Sequence, residues 1–513
     1  MLPALLLAIS LFSLASPSQA EGGASGSFSD PNLDITADSP AFSALRRTQT
    51  RGGALFYDQA FPQSSQDLRA YLEHAPLSAY DSGYLMERYP FAGGELLRWS
   101  DPVRGNSFLA SPLLEVGTSG GADGDTDGTD AYFGMGARIY GQVFHHLVYY
   151  THATVYSEKV DRARFTHQYN PELGETYSVE KGLGDSLLDF RTYNRFEYYL
   201  KFDQDWWSIK AGRDRIHMGP GYFSSLTAAR NTPPYYLVEG RIDFAPWLKL
   251  DDYLIKMTDT DYDVNKYANI HRLEFKPTAS LALAYQDIVI YQDRDPDPAY
   301  LLPLVPLTFS EANSGGRDNA AMSFDAIYAS RFGVSLWGEL FLDDLLGPTS
   351  FFDDFWENRW AGLAGFQWAL PMAWADADLV TEYSHIEPWT YNGREAYTSF
   401  KHYNVPSASK LGPDSRSVDV QASWRPWKRL QLRERWEWNE QGTGRPGTLG
   451  VIHDDAMDGQ TKEWLGSGTK SWVQASHELT FFQGRFVEAS LWWVQGISGA
   501  PGQRFGGAIS LGW

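Results

Sequence analysis

The sequence ends on Phe505-Gly-Gly-Ala-Ile-Ser-Leu-Gly-Trp513, a stretch in which apolar and small residues alternate. One register contains Phe505, Ile509 and Trp513, and the other contains only glycine, alanine and serine. Because successive side chains of a strand point to opposite faces, this pattern predicts a strand with one apolar face. A last strand of this kind is typical of a transmembrane barrel, in which it closes against the first strand. The edge strand of a soluble sandwich has a similar pattern, and recurrence along the chain distinguishes the two.

The same alternation recurs in pairs of segments that are joined by short turns. In the clearest pair, on either side of 426–428, apolar residues alternate with polar ones and Glu434 alone breaks the apolar register. Short turns are predicted near 144–146, 202–205, 245–246, 277–279, 330–332, 370–373, 426–428 and 483–484. Long polar connections are predicted at 117–130, 157–187, 214–235, 258–268, 292–321, 344–359, 387–416, 440–470 and 496–504. With a first strand near 106–116, this predicts an all-β, transmembrane antiparallel barrel of about 18 strands.

The composition fits this architecture. Aromatic residues make up 15% of the chain, with 19 Trp and 29 Tyr, and barrels carry aromatic girdles at both membrane interfaces. After the N-terminus no apolar run reaches the roughly 18 residues of a spanning helix. Cysteine is absent, which excludes disulfides, thiol catalysis and cysteine metal sites. The net charge of −21 disfavours nucleic acid as a partner, and no cofactor is predicted.

The N-terminal residues precede any alternating stretch. Residues 1–20 read as a signal peptide, with an apolar core followed by small residues before the expected cleavage site. We expect residues 21–105 to form a small, partly helical periplasmic region. Ser39-Pro40 predicts the start of a first helix, and a second helix is predicted over 66–72. The barrel is then expected to occupy residues 106–513.

Charged residues lie in the register that is expected to face the lumen. A barrel of about 18 strands is wide enough to contain a lumen. Mixed signs at neighbouring positions would form ion pairs that fill the pore, whereas an open channel would have a selectivity field. The sequence leaves both alternatives open. The predicted lumen charges are Arg191, Arg195, Lys201, Arg433, Arg435 and Glu437.

Motifs for metal binding or catalysis are incomplete. Asp123-Gly-Asp125-Thr-Asp127-Gly128 begins like a calcium loop, but the twelfth position is Gly134 and lacks the required carboxylate. His145-His146 lies in a predicted turn and is expected to be solvated. Histidines elsewhere have acidic or serine neighbours but no nucleophile motif. We therefore predict no metal site and no enzymatic activity; a barrel hydrolase would need a Ser/His/acid cluster at the outer rim.

The long connections are rich in aromatic residues. Aromatic faces stack on the C–H surfaces of sugars, while carboxylates and amides bind hydroxyl groups, so these residues are candidate polysaccharide contacts. The alternative is that they belong to the interfacial girdle. The candidates are Tyr222, Tyr235, Tyr236, Trp356, Trp389 and Tyr391.

Several short motifs lie across residues 190–440. They are Gly212-Arg213, Gly219-Pro220-Gly221, Arg230-Asn231-Thr232-Pro233, Asp318-Asn319 before Met322 to Tyr328, Gly338 to Leu345, Tyr397 to Tyr403, and Leu411-Gly412-Pro413-Asp414. In order and spacing they resemble the motifs of the Wzi-like capsule assembly proteins, which are outer-membrane barrels.

The resemblance implies a surface protein in the outer membrane of a Gram-negative bacterium. Such a protein binds exported capsular or related polysaccharide and helps assemble it on the cell surface, and its barrel is plugged. The expected partners are this polysaccharide and outer-membrane lipid, and we expect a monomer. A porin for sugars or small anions is the alternative, and an open lumen would distinguish it.

Overall fold

The computed structural model describes residues 34–35, 39–55, 60–61, 63–64, 71–87, 96–122, 128–159, 169–170, 175–176, 190–229, 232–259, 264–301, 305–313, 315–344, 347, 350–372, 375–403, 405–466, 468–483, 487–499 and 502–511. The predicted signal peptide and the acidic residues 123–127 lie outside these ranges. So does most of the second predicted helix, of which residues 71–72 are described and helical.

Eighteen long strands form one closed antiparallel sheet. They are β1 Asn106–Ala122, β2 Gly128–Val143, β3 Leu147–Lys159, β4 Phe190–Asp203, β5 Trp207–Asp214, β6 Tyr235–Ala245, β7 Leu248–Met257, β8 Lys266–Thr278, β9 Leu281–Gln292, β10 Asn319–Ser330, β11 Val334–Asp344, β12 Arg359–Ala369, β13 Ala377–Ile386, β14 Ser415–Trp427, β15 Leu430–Gly442, β16 Thr469–Gln483, β17 Val487–Ser498 and β18 Gln503–Leu511.

The first and last strands close the barrel. β18 pairs with the upper part of β1, with Ile509 opposite Val116. The lower part of β1 pairs with a short additional strand, Leu97–Asp101. Each remaining strand pairs with its neighbours in the chain. The predicted all-β barrel, its strand number and its alternation of short turns with long loops are confirmed. β1 and β2 extend further than predicted, which leaves only 123–127 between them.

Side chains alternate between the outside of the barrel and the lumen as predicted. On β15, Leu432 and Trp436 are exposed on the outside, while the intervening Arg433 and Arg435 form ion pairs inside. Large apolar side chains cover the outside, as a lipid-facing wall requires. At the end with the short turns, exposed aromatic side chains form a girdle that comprises Trp206, Phe244, Trp247, Phe332 and Trp427.

Four α-helices accompany the barrel in the described residues: α1 Ser39–Gly52, α2 Ala79–Glu87, α3 Leu307–Asn313 and α4 Asp455–Asp458. None of the helices that the structure describes has the length and apolar character to cross a membrane. Short 3₁₀ turns lie at Pro298–Tyr300, Ser350–Phe352, Ala396–Thr398 and Arg445–Gly447.

Helix α1 lies inside the barrel, whereas the sequence predicted a helical region in the periplasm. Thr50 Oγ1 is 2.8 Å from Ser335 Oγ and donates a hydrogen bond of 2.9 Å to Gln367 Oε1. Both partners belong to the lumen-facing register near the short turns. Helix α2, which was not predicted, packs its Tyr80 and Tyr84 rings against Phe482 of the lumen wall. The difference arises because a helical pattern does not reveal which surface covers the helix.

The register of β15 can be tested by placing a charge on its outer face. Substituting Leu432→Arg should lower the free energy of unfolding in lipid vesicles by about 1–3 kcal/mol, since the position faces hydrocarbon between the girdle and the midplane. The control Trp427→Arg lies in the girdle and should cost only about 0–1 kcal/mol. Urea titrations that give equal losses for both variants would contradict this register.

Candidate functional site

The connection between β5 and β6 enters the lumen, and we call its described residues, 215–229 and 232–234, the inner loop. The Glu382 carboxylate on β13 accepts hydrogen bonds from the backbone N–H groups of Tyr222, Phe223 and Ser224, at 2.6, 3.0 and 3.0 Å. Glu382 is buried in the wall, so it fixes the tip of the inner loop to the lumen side of the wall.

A second wall carboxylate holds the two ends of this tip. Glu339 on β11 accepts hydrogen bonds from the backbone N–H of Gly221 at 2.8 Å and of Leu226 at 2.7 Å. Gly219 has a φ of +113°, and a Cβ atom there would lie 2.6 Å from the Glu339 carboxylate. Glycine is therefore required for this close approach. The Gly219-Pro220-Gly221 motif thus has a structural role in the plug.

Helix α1 and the inner loop form one hydrogen-bonded unit with the wall. Arg46 donates a hydrogen bond of 2.8 Å to the Pro220 carbonyl, and its guanidinium lies 4.6 Å from the centre of the Trp337 ring. Trp337 Nε1 in turn donates to Glu382 at 2.9 Å. The Tyr222 hydroxyl donates to Ser43 Oγ on α1 at 2.9 Å. The plug is consequently anchored through polar contacts on both of its sides.

An ionic network fixes the other end of α1, near the short turns. Arg47 contacts Asp81 of α2 at 2.6 Å, and Arg51 contacts Asp81 at 3.0 Å and Asp376 at 2.5 Å. Arg425 contacts Asp376 at 2.9 Å. Burial alone would raise the pKa of Asp376, but Arg425 and Arg51 lower it to about 2. The carboxylate therefore stays ionised, as buried arginines require.

The loop at residues 387–414 also turns inward and covers the inner loop. Lys266 Nζ donates hydrogen bonds to the carbonyls of Ser399 at 2.7 Å and Lys401 at 3.1 Å. The Tyr391 hydroxyl donates to the Leu226 carbonyl at 3.1 Å. Because both loops bind the wall and each other, they occupy part of the lumen.

Apolar packing fills the space between these polar anchors. Phe42 and Leu45 of α1, together with Met218 and Leu226 of the inner loop, belong to one buried cluster with inward-facing wall residues. Those wall residues include Ile255, Ile270, Ile288, Ile327, Leu363 and Val380. This side of the lumen is therefore packed like the core of a globular domain. A cavity of about 200 Å³ remains beside β14–β17, lined in part by Phe223, Arg433, Arg435 and Trp492.

The predicted lumen charges with described side chains form ion pairs. Arg195 contacts Glu197 at 3.2 Å and Lys201 contacts Asp203 at 3.6 Å. Arg433 contacts Glu478 at 2.8 Å, and Arg435 contacts both Asp419 and Glu437 at 2.7 Å. The side chain of Arg191 lies outside the described residues. The charges of acidic and basic side chains therefore neutralise one another, and these residues do not form a lumen lining with a single sign of charge.

Four of the six candidate polysaccharide contacts are buried. They are Tyr222, Tyr235, Trp389 and Tyr391, each about 2% exposed or less. Tyr236 lies on the outside of β6, beside the guanidinium of Arg213 at 5.7 Å, and so faces the membrane. Trp356 is half-buried in the extracellular loop 345–358. Of the six, it alone combines a loop position at the outer end with an accessible part of its ring.

Trp356 belongs to an aromatic group that we call the outer rim cluster, together with Trp389 and His453. The His453 ring stacks on Trp356 with centroids 3.7 Å apart and an interplanar angle of 3°. Trp389 meets His453 edge-on at 5.0 Å. Sequence reasoning missed His453, because a lone histidine 97 positions from its partner carries no motif. Its contact with Trp356 forms only in the folded protein, where loops 345–358 and 443–468 pack against each other.

Backbone pairing joins these two loops. The Trp356 N–H donates to the Gln460 carbonyl at 3.2 Å, and the Lys462 N–H donates to the Asp354 carbonyl at 2.7 Å. Asp353 and Asp354 are exposed beside the cluster. The two loops therefore present an aromatic ring and hydrogen-bond acceptors on a surface that backbone hydrogen bonds hold in place.

A second aromatic group lies where β12–β15 meet the extracellular loops. His385 packs between Trp360 at 5.2 Å and Trp464 at 4.7 Å. The guanidinium of Arg416 lies 4.8 Å from the Trp464 ring. Burial raises the pKa of the nearby Asp414 carboxyl to about 6. Aromatic and charged groups of this kind suit either a sugar surface or the interfacial girdle.

The histidine pair of the predicted turn makes backbone contacts. His145 lies in the turn between β2 and β3, and its N–H donates to the Gly105 carbonyl at 3.1 Å. His146 Nδ1 is 3.1 Å from the Asp203 carbonyl. Across the ranges that the structure describes, no group of three or more His, Cys, Asp or Glu side chains is arranged to hold a metal ion.

Comparison with solved structures places the chain among outer-membrane barrels. Wzi from Escherichia coli, described as a carbohydrate-binding β-barrel and outer-membrane protein involved in group 1 capsule assembly, has a TM-score of 0.58 and 12% identity over 93% of this chain and 99% of its own. OpdK from Pseudomonas aeruginosa with vanillate has a TM-score of 0.46 and 10% identity, over 79% and 98%. OccAB2 from Acinetobacter baumannii has a TM-score of 0.45 and 8% identity, over 79% and 98%.

No protein-family model matches the chain, and no curated protein matches it in sequence. The predicted Wzi-like barrel fold is confirmed by the structural comparison. Together with the apolar exterior and the aromatic girdle, the fold places the chain in the outer membrane.

Removing the Glu382 carboxylate should loosen the plug. In Glu382→Ala the three N–H groups of the loop tip lose their acceptor, at a cost of about 1–3 kcal/mol for each group left unpaired. Planar-bilayer recordings should then show conducting steps that the native protein lacks. Glu463→Gln, an exposed loop acid, is the control and should stay silent. A silent Glu382→Ala barrel with native thermal stability would contradict the anchoring role.

Proposed function

We propose that the protein binds capsular or related polysaccharide at the outer surface of the cell and helps assemble it there. The observation that carries this proposal is the plug, which fills part of the lumen. Helix α1 and two inward loops are fixed to the wall by buried carboxylates and by Lys266. The part of the barrel that this plug fills offers no aqueous path, so the loops at the extracellular end are left as the surface for binding.

The chemistry of the outer rim cluster supports a carbohydrate ligand. The half-buried ring of Trp356 is held flat against His453, so little rotational freedom is lost when a sugar stacks on it. The exposed carboxylates of Asp353 and Asp354 accept hydrogen bonds from sugar hydroxyl groups. A rigid aromatic ring beside a few fixed polar groups is a common design for a binding site.

The likeness in fold to Wzi, which is described as carbohydrate-binding, supports the same class of ligand. It does not identify the residues that contact the polymer, because four of the six aromatic candidates from the sequence are enclosed by protein. We therefore propose that Trp356 and the loops around it form the contact surface for the polysaccharide. In this account the enclosed aromatic residues stabilise the plug.

The alternative of a porin predicts a different response in a planar bilayer. Steady, ion-selective conductance of the native protein would establish a channel and overturn the proposed function. Silence of the native barrel, together with binding of surface polysaccharide from the host, is the expected result.

The outer rim cluster can be tested directly by measuring polysaccharide binding to the purified protein. Trp356→Ala should weaken binding by about tenfold, equivalent to about 1.4 kcal/mol, because the stacking surface is lost. His453→Ala should weaken binding less, since His453 stacks on the Trp356 ring and is not itself the proposed contact with the polysaccharide. The matched control Trp427→Ala removes an exposed tryptophan at the opposite end of the barrel and should bind normally. Equal binding by all three variants would exclude the cluster as the contact surface.

A further inference from the structure

Three ionisable side chains form a row on the lipid-facing side of β7, β8 and β9. Asp252 pairs with His271, and His271 pairs with Asp287, across the three strands. Arg272 and Gln286, the sequence neighbours of His271 and Asp287, belong to the lumen-facing register. The side chains of the row therefore point outward. His271 Nε2 lies 3.4 Å from Asp252 Oδ1, and its Nδ1 lies 3.4 Å from Asp287 Oδ1. Ionisable groups of this kind are costly in contact with hydrocarbon.

The connection between β9 and β10 folds back over this row. We call its described residues, 293–301, 305–313 and 315–318, the outer-wall flap. The Leu307 N–H donates a hydrogen bond of 2.7 Å to Asp287 Oδ2, and the Tyr300 carbonyl lies 3.3 Å from His271 Nε2. The flap thereby supplies polar partners to two members of the row from the lipid side of the wall.

Apolar contacts seal the flap onto the barrel. Tyr300 and Leu307 are buried against Val289 and Tyr291, the two outward-facing residues near the upper end of β9. Tyr300 also donates a hydrogen bond of 2.7 Å to Asp318. At a rise of about 2.5 Å per residue along the barrel axis, the covered positions lie about 15–25 Å above the short turn. The lipid-facing band is about 25 Å tall, so the flap covers its outer part.

The other side of the flap is apolar and exposed. Leu301, Val305 and Phe309 are 40%, 43% and 65% exposed. Phe309 follows the buried Leu307 by two positions in α3, which places it about 200° around the helix axis and away from the wall. The exposed Leu283 and Phe324 continue the same surface on β9 and β10. This apolar face is therefore continuous with the lipid-facing wall.

We propose that the outer-wall flap is inserted into the membrane, where Leu301, Val305 and Phe309 contact the acyl chains of outer-leaflet lipid. The flap takes the place of lipid over the Asp252–His271–Asp287 row and keeps hydrocarbon away from it. The connection between β9 and β10 then serves as a membrane anchor, and it is unavailable to an aqueous polysaccharide.

The absence of native cysteine allows the flap to be tested with single labels. Phe309→Cys, Phe324→Cys and Phe352→Cys, each carrying an environment-sensitive fluorophore, are reconstituted in vesicles with brominated acyl chains. Phe324 marks the lipid-facing wall, and Phe352 is a 94% exposed loop residue. The label at 309 should be quenched by the bromines like the label at 324 and protected from aqueous iodide, unlike the label at 352.

Iodide quenching at 309 as strong as at 352 would overturn the proposal, because the flap would then lie in water. Energy transfer between differently labelled molecules at position 309, at high dilution in lipid, would also overturn it, since a second copy would then cover the face. Folding of each variant is verified by its resistance to urea. These outcomes concern lipid contact alone and are independent of polysaccharide binding.

Discussion

The plug depends on hydrogen bonds from the backbone of the inner loop to two carboxylates in the barrel wall. Glu339 and Glu382 are buried, and a buried polar group without hydrogen-bond partners is destabilising. Backbone N–H groups of residues 221–226 provide those partners, so the wall is stabilised by the plug as much as the plug is by the wall. Arg46 and Trp337 extend the same network to α1. The two wall carboxyl groups thus depend on the inner loop for their hydrogen-bond partners.

Much of the fold was predictable because strand periodicity is a local property. Strict alternation identified the outer and inner registers, and the short turns near 144–146 and 426–428 were placed correctly. The destination of α1 was not predictable, because its arginines look like those of a solvated helix. Only the assembled barrel reveals that carboxylates far away in the sequence, Asp376 and Asp378 at the start of β13, contact them.

The candidate site was less accessible to sequence reasoning for a related reason. Tyr222 and Tyr391 were chosen because they lie in long connections, and such connections are normally solvated. Here two connections fold inward and a third folds over the outer wall, so position in a loop does not imply exposure. The stack of Trp356 on His453 joins two loops that are far apart in sequence, and no spacing rule relates them.

The plug also imposes an order on assembly. Helix α1 precedes every barrel strand in the chain, while the seam between β1 and β18 can form only after the last strand exists. Because α1, the inner loop and the opposite wall share one buried network, we expect these contents to be in position when the seam closes. The barrel therefore closes around α1 and the inner loop. The short strand Leu97–Asp101 pairs with β1 beside the seam and so connects the N-terminal segment to the site of closure.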